Sequence, residues 1–198
     1  MNIQVAVPEI RAKSQRKPAQ SKSDVILRAA GRLVNTNGVH GWPMSKLAHA
    51  TGYAKGTLYL YYDSREDLLR RLLVSEVERW LIIASGQIAS AHSDAEVIEA
   101  LWSAAENRPV MAQLLGNIQM APEEIPNAAL VHLGTQLSIA RKLRQSHAMQ
   151  VAHALVAALA GAFSVGRPVG AGCHAMATMR GLFEGIAFAL LSDAGRDV

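Results

Sequence analysis

Residues 44–67 read MSKLAHATGYAKGTLYLYYDSRED, and this stretch decides the fold. Two short helices, about Pro43 to Ala50 and Ala54 to Tyr62, are joined by the break Thr51-Gly52-Tyr53. A tight junction of this kind needs a small residue where the helices approach, which Ala48 supplies. Four positions later Gly52 permits the positive φ of the turn. Leu58, six positions after that glycine, plugs the second helix onto the first, with Leu47 as its counterpart. Leu58 and Tyr62 share a face and are expected to point inward. Lys55, Gly56, Thr57 and Tyr59 lie elsewhere on the helix and are free to face outward.

That outward face suits a nucleic acid. Lys55 lies near the start of the second helix, where a recognition helix meets base edges or phosphates in the major groove. Gly56 allows close backbone approach, and Thr57, Tyr59 and Tyr61 carry hydroxyls for phosphate oxygens. Arg65 and the free N–H groups opening the following helix add a phosphate site. Ser45, Lys46, Tyr53 and Ala54 complete the candidate DNA-binding set. An ordinary helical hairpin with exposed Lys and Tyr is the plainer alternative.

Working outward, Ser21 is an N-cap candidate for a helix with Val25, Ile26, Ala29, Ala30, Leu33 and Val34 at three- and four-residue spacing, closed by Asn37-Gly38. On the other side Ser64 caps, and Asp67 takes the capping-box position of, a long amphipathic helix reaching about Ala91. Further helices are expected from the Ser93-Asp94-Ala95-Glu96 signature to about Asn107, from Pro109 to Met120, from Pro126 to Gln145, from His147 to Val165 and from Gly172 to Ser192. Linkers fall at Ala121-Pro122 and Gly166–Gly170. No stretch alternates with the two-residue period of a strand. The expectation is an all-α chain of about nine helices: a flexible basic arm over 1–20, a three-helix DNA-binding unit over 21–67, and a helical unit over 68–198.

Charge distribution points the same way. The chain of 198 residues has a net charge of +4. Residues 1–72 hold twelve Lys and Arg against five Asp and Glu, a balance of +7, which leaves −3 for the remainder. A polyanion is the natural partner of such a segment, because neutralised phosphates release counterions. The single Cys, Cys173, excludes a disulfide framework and a multi-cysteine metal site. Charges in the first 23 residues argue against a signal peptide, so a cytoplasmic chain is expected. Residues 148–166, apolar but broken by Gln150 and His153 and rich in Ala, read as a buried helix rather than a membrane span.

Segment 24–73 resembles the DNA-binding domain of the tetracycline-repressor (TetR) family of bacterial transcription regulators. The likeness rests on Ile26-Leu27-Arg28-Ala29-Ala30, on Leu47-Ala48, on the run from Thr51 to Tyr62, and on Ser64-Arg65-Glu66-Asp67-Leu68-Leu69. It implies an all-helical homodimer, with one helix-turn-helix per subunit on a double-stranded DNA operator and a larger C-terminal domain for a small-molecule effector and dimerisation. Four positions depart from the family pattern. Ala54 replaces a capping Ser or Thr, Pro43 a capping Thr, Arg65 a Lys, and Tyr62 a Phe, so the Tyr62 hydroxyl needs a partner if buried.

In the C-terminal unit, Trp80, Trp102, Met111, Met120, His132, Gln136 and His153 mix apolar bulk with polar handles and are the effector-binding candidates. Ala152, Leu155 and Leu159 on one helix, with Met176, Arg180, Phe183, Glu184, Ala187 and Leu191 on the next, form facing stripes that would build a four-helix dimer interface. No histidine pair has metal-ligand spacing, and no phosphate-cradling loop, nucleophile elbow or HExxH motif is present, so neither a metal, a cofactor nor catalysis is expected. A DNA-binding protein without a small effector, and a helical carrier or enzyme with an incidental hairpin, are the alternatives to an effector-controlled repressor.

Overall fold

The computed structural model describes residues 21–118, 124–165 and 173–194, and these form nine α-helices with no strand among them. The basic arm over 1–20, the linker at Ala121-Pro122 and the breaker at Gly166–Gly170 lie outside the described residues.

Three helices begin as their sequence signatures require. α1 (Lys22–Asn37) starts with a full capping box, in which Ser21 Oγ accepts from Asp24 N at 3.1 Å and the Asp24 carboxylate accepts from Ser21 N at 3.3 Å. α4 (Arg65–Ile88) is capped by Ser64 Oγ, which accepts from Asp67 N at 3.0 Å. The Asp67 carboxylate reaches back one residue further than the box pattern, accepting from Asp63 N at 3.2 Å. α5 (Asp94–Glu106) is capped in the same manner by Ser93. Between α1 and α4 lie α2 (Met44–Thr51) and α3 (Lys55–Tyr59). After α5 come α6 (Pro109–Leu115), α7 (Asn127–Arg141), α8 (Gln145–Val165) and α9 (Cys173–Ala194).

Ends are where sequence and structure differ. α6 stops at Leu115 rather than Met120, and α7 stops at Arg141 because Lys142 turns left-handed, with φ 54. A non-glycine residue in that region leaves no reliable mark in the sequence.

α4 is the spine, packing against α1, α5, α6 and α7. Its buried residues recur as Leu68, Leu69, Leu72, Leu73, Val77, Trp80, Leu81, Ala84 and Ile88. Glu76 is the one buried acidic side chain among the described residues, and it is neutralised from both sides. Arg79 Nη1 approaches its carboxylate at 3.0 Å and Arg108 Nη2 at 2.9 Å. The second contact ties α4 to the residue preceding α6, and α6 in turn touches α1. Burying a carboxylate is tolerable only with such partners.

α7, α8 and α9 close the C-terminal half. α8 packs on both α7 and α9, with the Met149 side chain of α8 lying over Gly134 of α7. Gln145–Phe163 is long and apolar enough to cross a membrane, yet half of it is buried against the rest of the chain, as in a core helix.

The α1–α2 loop carries two glycines of different kinds. Gly38 has φ 73 and ends α1, its N–H donating to Val34 O at 2.8 Å. Gly41 is required by close approach, since a Cβ there would sit 1.9 Å from the Asn37 carbonyl oxygen. Gly41→Ala is expected to destabilise the chain by roughly 1–3 kcal/mol through this overlap, read as a lowered midpoint in urea unfolding; an unchanged midpoint would contradict the packing described.

Candidate nucleic-acid interface

α3 has only five residues and no side-chain cap, because Ala54 offers none. A helix this short has no stability of its own. It is held by burial: Leu58 is fully buried, Tyr62 nearly so, and Leu47 of α2 meets them from the other helix. The turn between α2 and α3 has Gly52 in the left-handed region at φ 71. Thr51 Oγ1 closes the end of α2 by donating to Leu47 O and Ala48 O at 3.0 and 3.1 Å.

The buried Tyr62 hydroxyl has the partner that the sequence demanded, Ser23 Oγ of α1 at 2.8 Å. Burial pushes the Tyr62 hydroxyl above its ordinary value of 10.0, with the Ser23 hydrogen bond opposing the rise. The folded state therefore holds this proton more tightly than the unfolded chain. Stability from this group is present below about pH 10 and is lost as pH rises through the elevated folded value.

With Leu58 and Tyr62 inward, the other side chains of this segment fall outside. Ser45, Lys46, Ala54, Lys55, Gly56, Tyr59 and Tyr61 are exposed, and Thr57 is half-buried. Lys55 Nζ lies 5.9 Å from the centroid of the Tyr59 ring, one helical turn away, so the two groups form a joint cationic and aromatic patch. Lys46 Nζ donates to Asn37 Oδ1 at 2.7 Å across the α1–α2 corner. Tyr53 is half-buried and packs against the core, with only part of its surface facing out.

Arg65 departs from its expected role. Its guanidinium lies 4.9 Å from the Trp42 ring centroid, donates from Nε to Trp42 O at 3.2 Å and from Nη2 to Val39 O, and leaves 19% of the side chain exposed. It fastens the α1–α2 loop to the start of α4, rather than presenting its charge outward. The sequence showed a charge at that position; only the fold shows two carbonyl oxygens converging on it.

The effector candidates do not converge. Trp80 is buried with its indole N–H spent on Leu101 O at 3.0 Å. Trp102 is buried between Phe163, stacked at 5.9 Å, and Phe183, tilted at 6.0 Å. Met111 is core, His132 is exposed, Gln136 is half-buried, and Met120 lies outside the described residues. His153 alone of this set lines a described cavity. This is an open groove of about 610 Å³ along α8, bounded by Met149, Gln150, Ala154, Val156, Ala157 and Ala160, with Ile125 at its edge.

The proposed dimer stripe is used within the subunit. Ala152, Leu155 and Leu159 of α8 and Phe183, Ala187 and Leu191 of α9 are buried inside the single chain, where α8 and α9 pack together. Arg180 is tied to Glu184 and Glu99, both at 2.6 Å, and the Met176 side chain lies outside the described residues. The face of α9 left exposed instead carries Leu182, Ile186 and Phe188. A helix with apolar residues on two faces gives no sequence signal for which face meets its own subunit. Among the described residues no three His, Cys, Asp or Glu side chains gather as a metal site.

The fold is a helix-turn-helix unit with a helical C-terminal extension. The family model described as "Bacterial regulatory proteins, tetR family" matches residues 26–72, the helix-turn-helix unit and the start of α4. The fatty acid metabolism regulator protein of Bacillus subtilis is 34% identical over 65 residues, a match spanning 33% of this chain and only about a third (34%) of that regulator. The TetR family repressor AlkX of Dietzia sp., implicated in biodegradation of n-alkanes, superposes with a TM-score of 0.63 at 18% identity, covering 89% of this chain and 98% of that one. The fatty acid degradation regulator FadR of Bacillus halodurans does so with a TM-score of 0.54 at 21% identity, covering 88% and 97%. At these identities the structural likeness speaks for the fold, which matches along nearly the whole length.

Two measurements test the site's internal supports. Tyr62→Phe should cost about 1 kcal/mol at neutral pH and remove one component of the stability lost above pH 10; an alkaline unfolding profile identical to that of the parent would contradict the assigned environment. Arg65→Ala should lower the melting temperature even without DNA, whereas a purely phosphate-contacting arginine would leave it unchanged.

Proposed function

We propose that this chain is a homodimeric, cytoplasmic transcriptional repressor that grips a palindromic DNA operator through α2 and α3 of each subunit and is released by a small-molecule effector. The observation carrying the reading is the division of one short segment into two faces. Leu58 and Tyr62 are locked inward, while Lys55, Gly56 and Tyr59 are left outward on a domain with surplus positive charge. Residues 21–67 are the DNA-binding unit and 68–198 the effector and dimerisation unit, with α4 running from one into the other. The protein acts by binding and not by catalysis.

The effector is proposed to be an aliphatic molecule. The relatives described above include regulators of fatty acid metabolism and fatty acid degradation, and a repressor implicated in n-alkane biodegradation. The groove on α8 fits that chemistry in being lined by Ala, Val, Ile and Met, with Gln150 and His153 as its polar groups. For dimerisation, the exposed face of α9 offers Leu182, Ile186 and Phe188, with Gly181 and Gly185 open to close approach by a partner helix. Occupation of the C-terminal unit would change the separation of the two recognition helices, taking them out of register with successive major grooves.

Lys55→Ala and Tyr59→Ala should each weaken binding to a duplex selected by the protein by about tenfold while leaving the dimer intact in sedimentation; unchanged affinity for both would overturn the recognition-helix assignment. Decanoate, palmitate and hexadecane, titrated against the protein–duplex complex, should include at least one that releases the DNA. Ala157→Trp, which fills the groove, should abolish that release. Release undiminished in this variant would place the effector elsewhere, and no release by any aliphatic compound would contradict the effector class.

A further inference from the structure

We propose that Leu60 reads sequence, packing its isobutyl group on the C5-methyl group of a thymine in the major groove. The proposal rests on the DNA-binding reading above and extends it to the class of base recognised.

Leu60 is 83% exposed, more than any other large hydrophobic side chain among the described residues. Its backbone is still helical, with φ −75 and ψ −20, so it continues the surface of α3. At 3.6 residues per turn it lies about 200° round the helix from Leu58, opposite the plug that fixes α3 to the domain. It therefore stands on the outermost ridge of the recognition helix. Gly56 lies one turn earlier on the same ridge, and a Cβ built there would meet nothing within 4 Å. Ala54, at the N-cap, is also small and exposed. A duplex approaching this ridge meets bare backbone first, and Leu60 is the first bulky side chain it encounters.

A leucine can neither donate nor accept a hydrogen bond, so phosphate oxygens and most groove edges give it nothing. The thymine C5-methyl is the main apolar group that the major groove displays, and contact with it is the established use of an apolar side chain there. The neighbours divide the remaining work: Lys55 and the Tyr59 and Tyr61 hydroxyls can meet phosphates on either side, while Leu60 occupies the groove between them. Covering one methyl pair from water is worth about fourfold in affinity per half-site.

The test uses the full chain. A duplex is first selected from a random library, and its thymines are then replaced one at a time by uracil, which removes only the C5-methyl. Binding of the parent, Leu60→Ala and Leu60→Gln is read by fluorescence anisotropy. One uracil position per half-site should weaken the parent about fourfold, both variants should bind the original duplex more weakly, and neither should respond to that uracil. Variants that bind as tightly as the parent overturn the proposal. So do variants that lose affinity but keep the uracil effect, a result that would assign Leu60 to deoxyribose or to shape. Failure to select any duplex would overturn the DNA-binding reading itself, and Leu60's role with it. The melting temperature of both variants should equal the parent's, because the side chain touches little within the protein.

Discussion

The recognition surface depends on one buried contact. α3 is too short to be a helix by propensity, opens without a cap and presents a glycine at its second position. Only the burial of Leu58, with Tyr62 just beyond the helix, against Leu47 and the α1–α4 framework gives it a fixed orientation. Burying one such side chain is worth about 1.5–3 kcal/mol, comparable to the cost of ordering one or two residues, which leaves the segment little tolerance for further losses. The hydrogen bond between Tyr62 and Ser23 fixes the end of the short segment to α1, and the Arg65 contacts fasten the neighbouring α1–α2 loop to α4.

Those longer helices extend the constraint through the molecule. α4 begins beside the recognition segment and ends among the C-terminal helices without a break, so the two units share a rigid element instead of a linker. The buried Glu76 fixes Arg108, and with it the start of α6, to the middle of that spine; α6 then touches α1. A displacement among α5, α6 and α8 thus has a packed route to α1 and through it to α2 and α3.

The parts legible in the sequence were those governed by local rules. Ser21 and Asp24, Ser64, Ser93 and Gly52 announce caps and a turn through chemistry confined to four or five residues, and the structure uses each of them. The inward assignment of Leu58 and Tyr62 follows from spacing alone. What escaped the sequence was set by tertiary partners. Arg65 was indistinguishable from a phosphate ligand until Val39 and Trp42 were brought to it, and the stripes of α8 and α9 could not be apportioned between subunit core and outer face. Gly41 carries no local mark of its contact with Asn37, and no local rule sets Leu60 apart from its neighbours. In the fold it is the single most exposed large hydrophobic side chain among the described residues.

Hydrogen–deuterium exchange of the full chain, with and without its selected duplex, tests the central claim most directly. Added protection on DNA binding should centre on residues 44–62, with the exposed faces of α8 and α9 unaffected by the duplex itself. Protection that spared α2 and α3 and fell on other helices would contradict that claim.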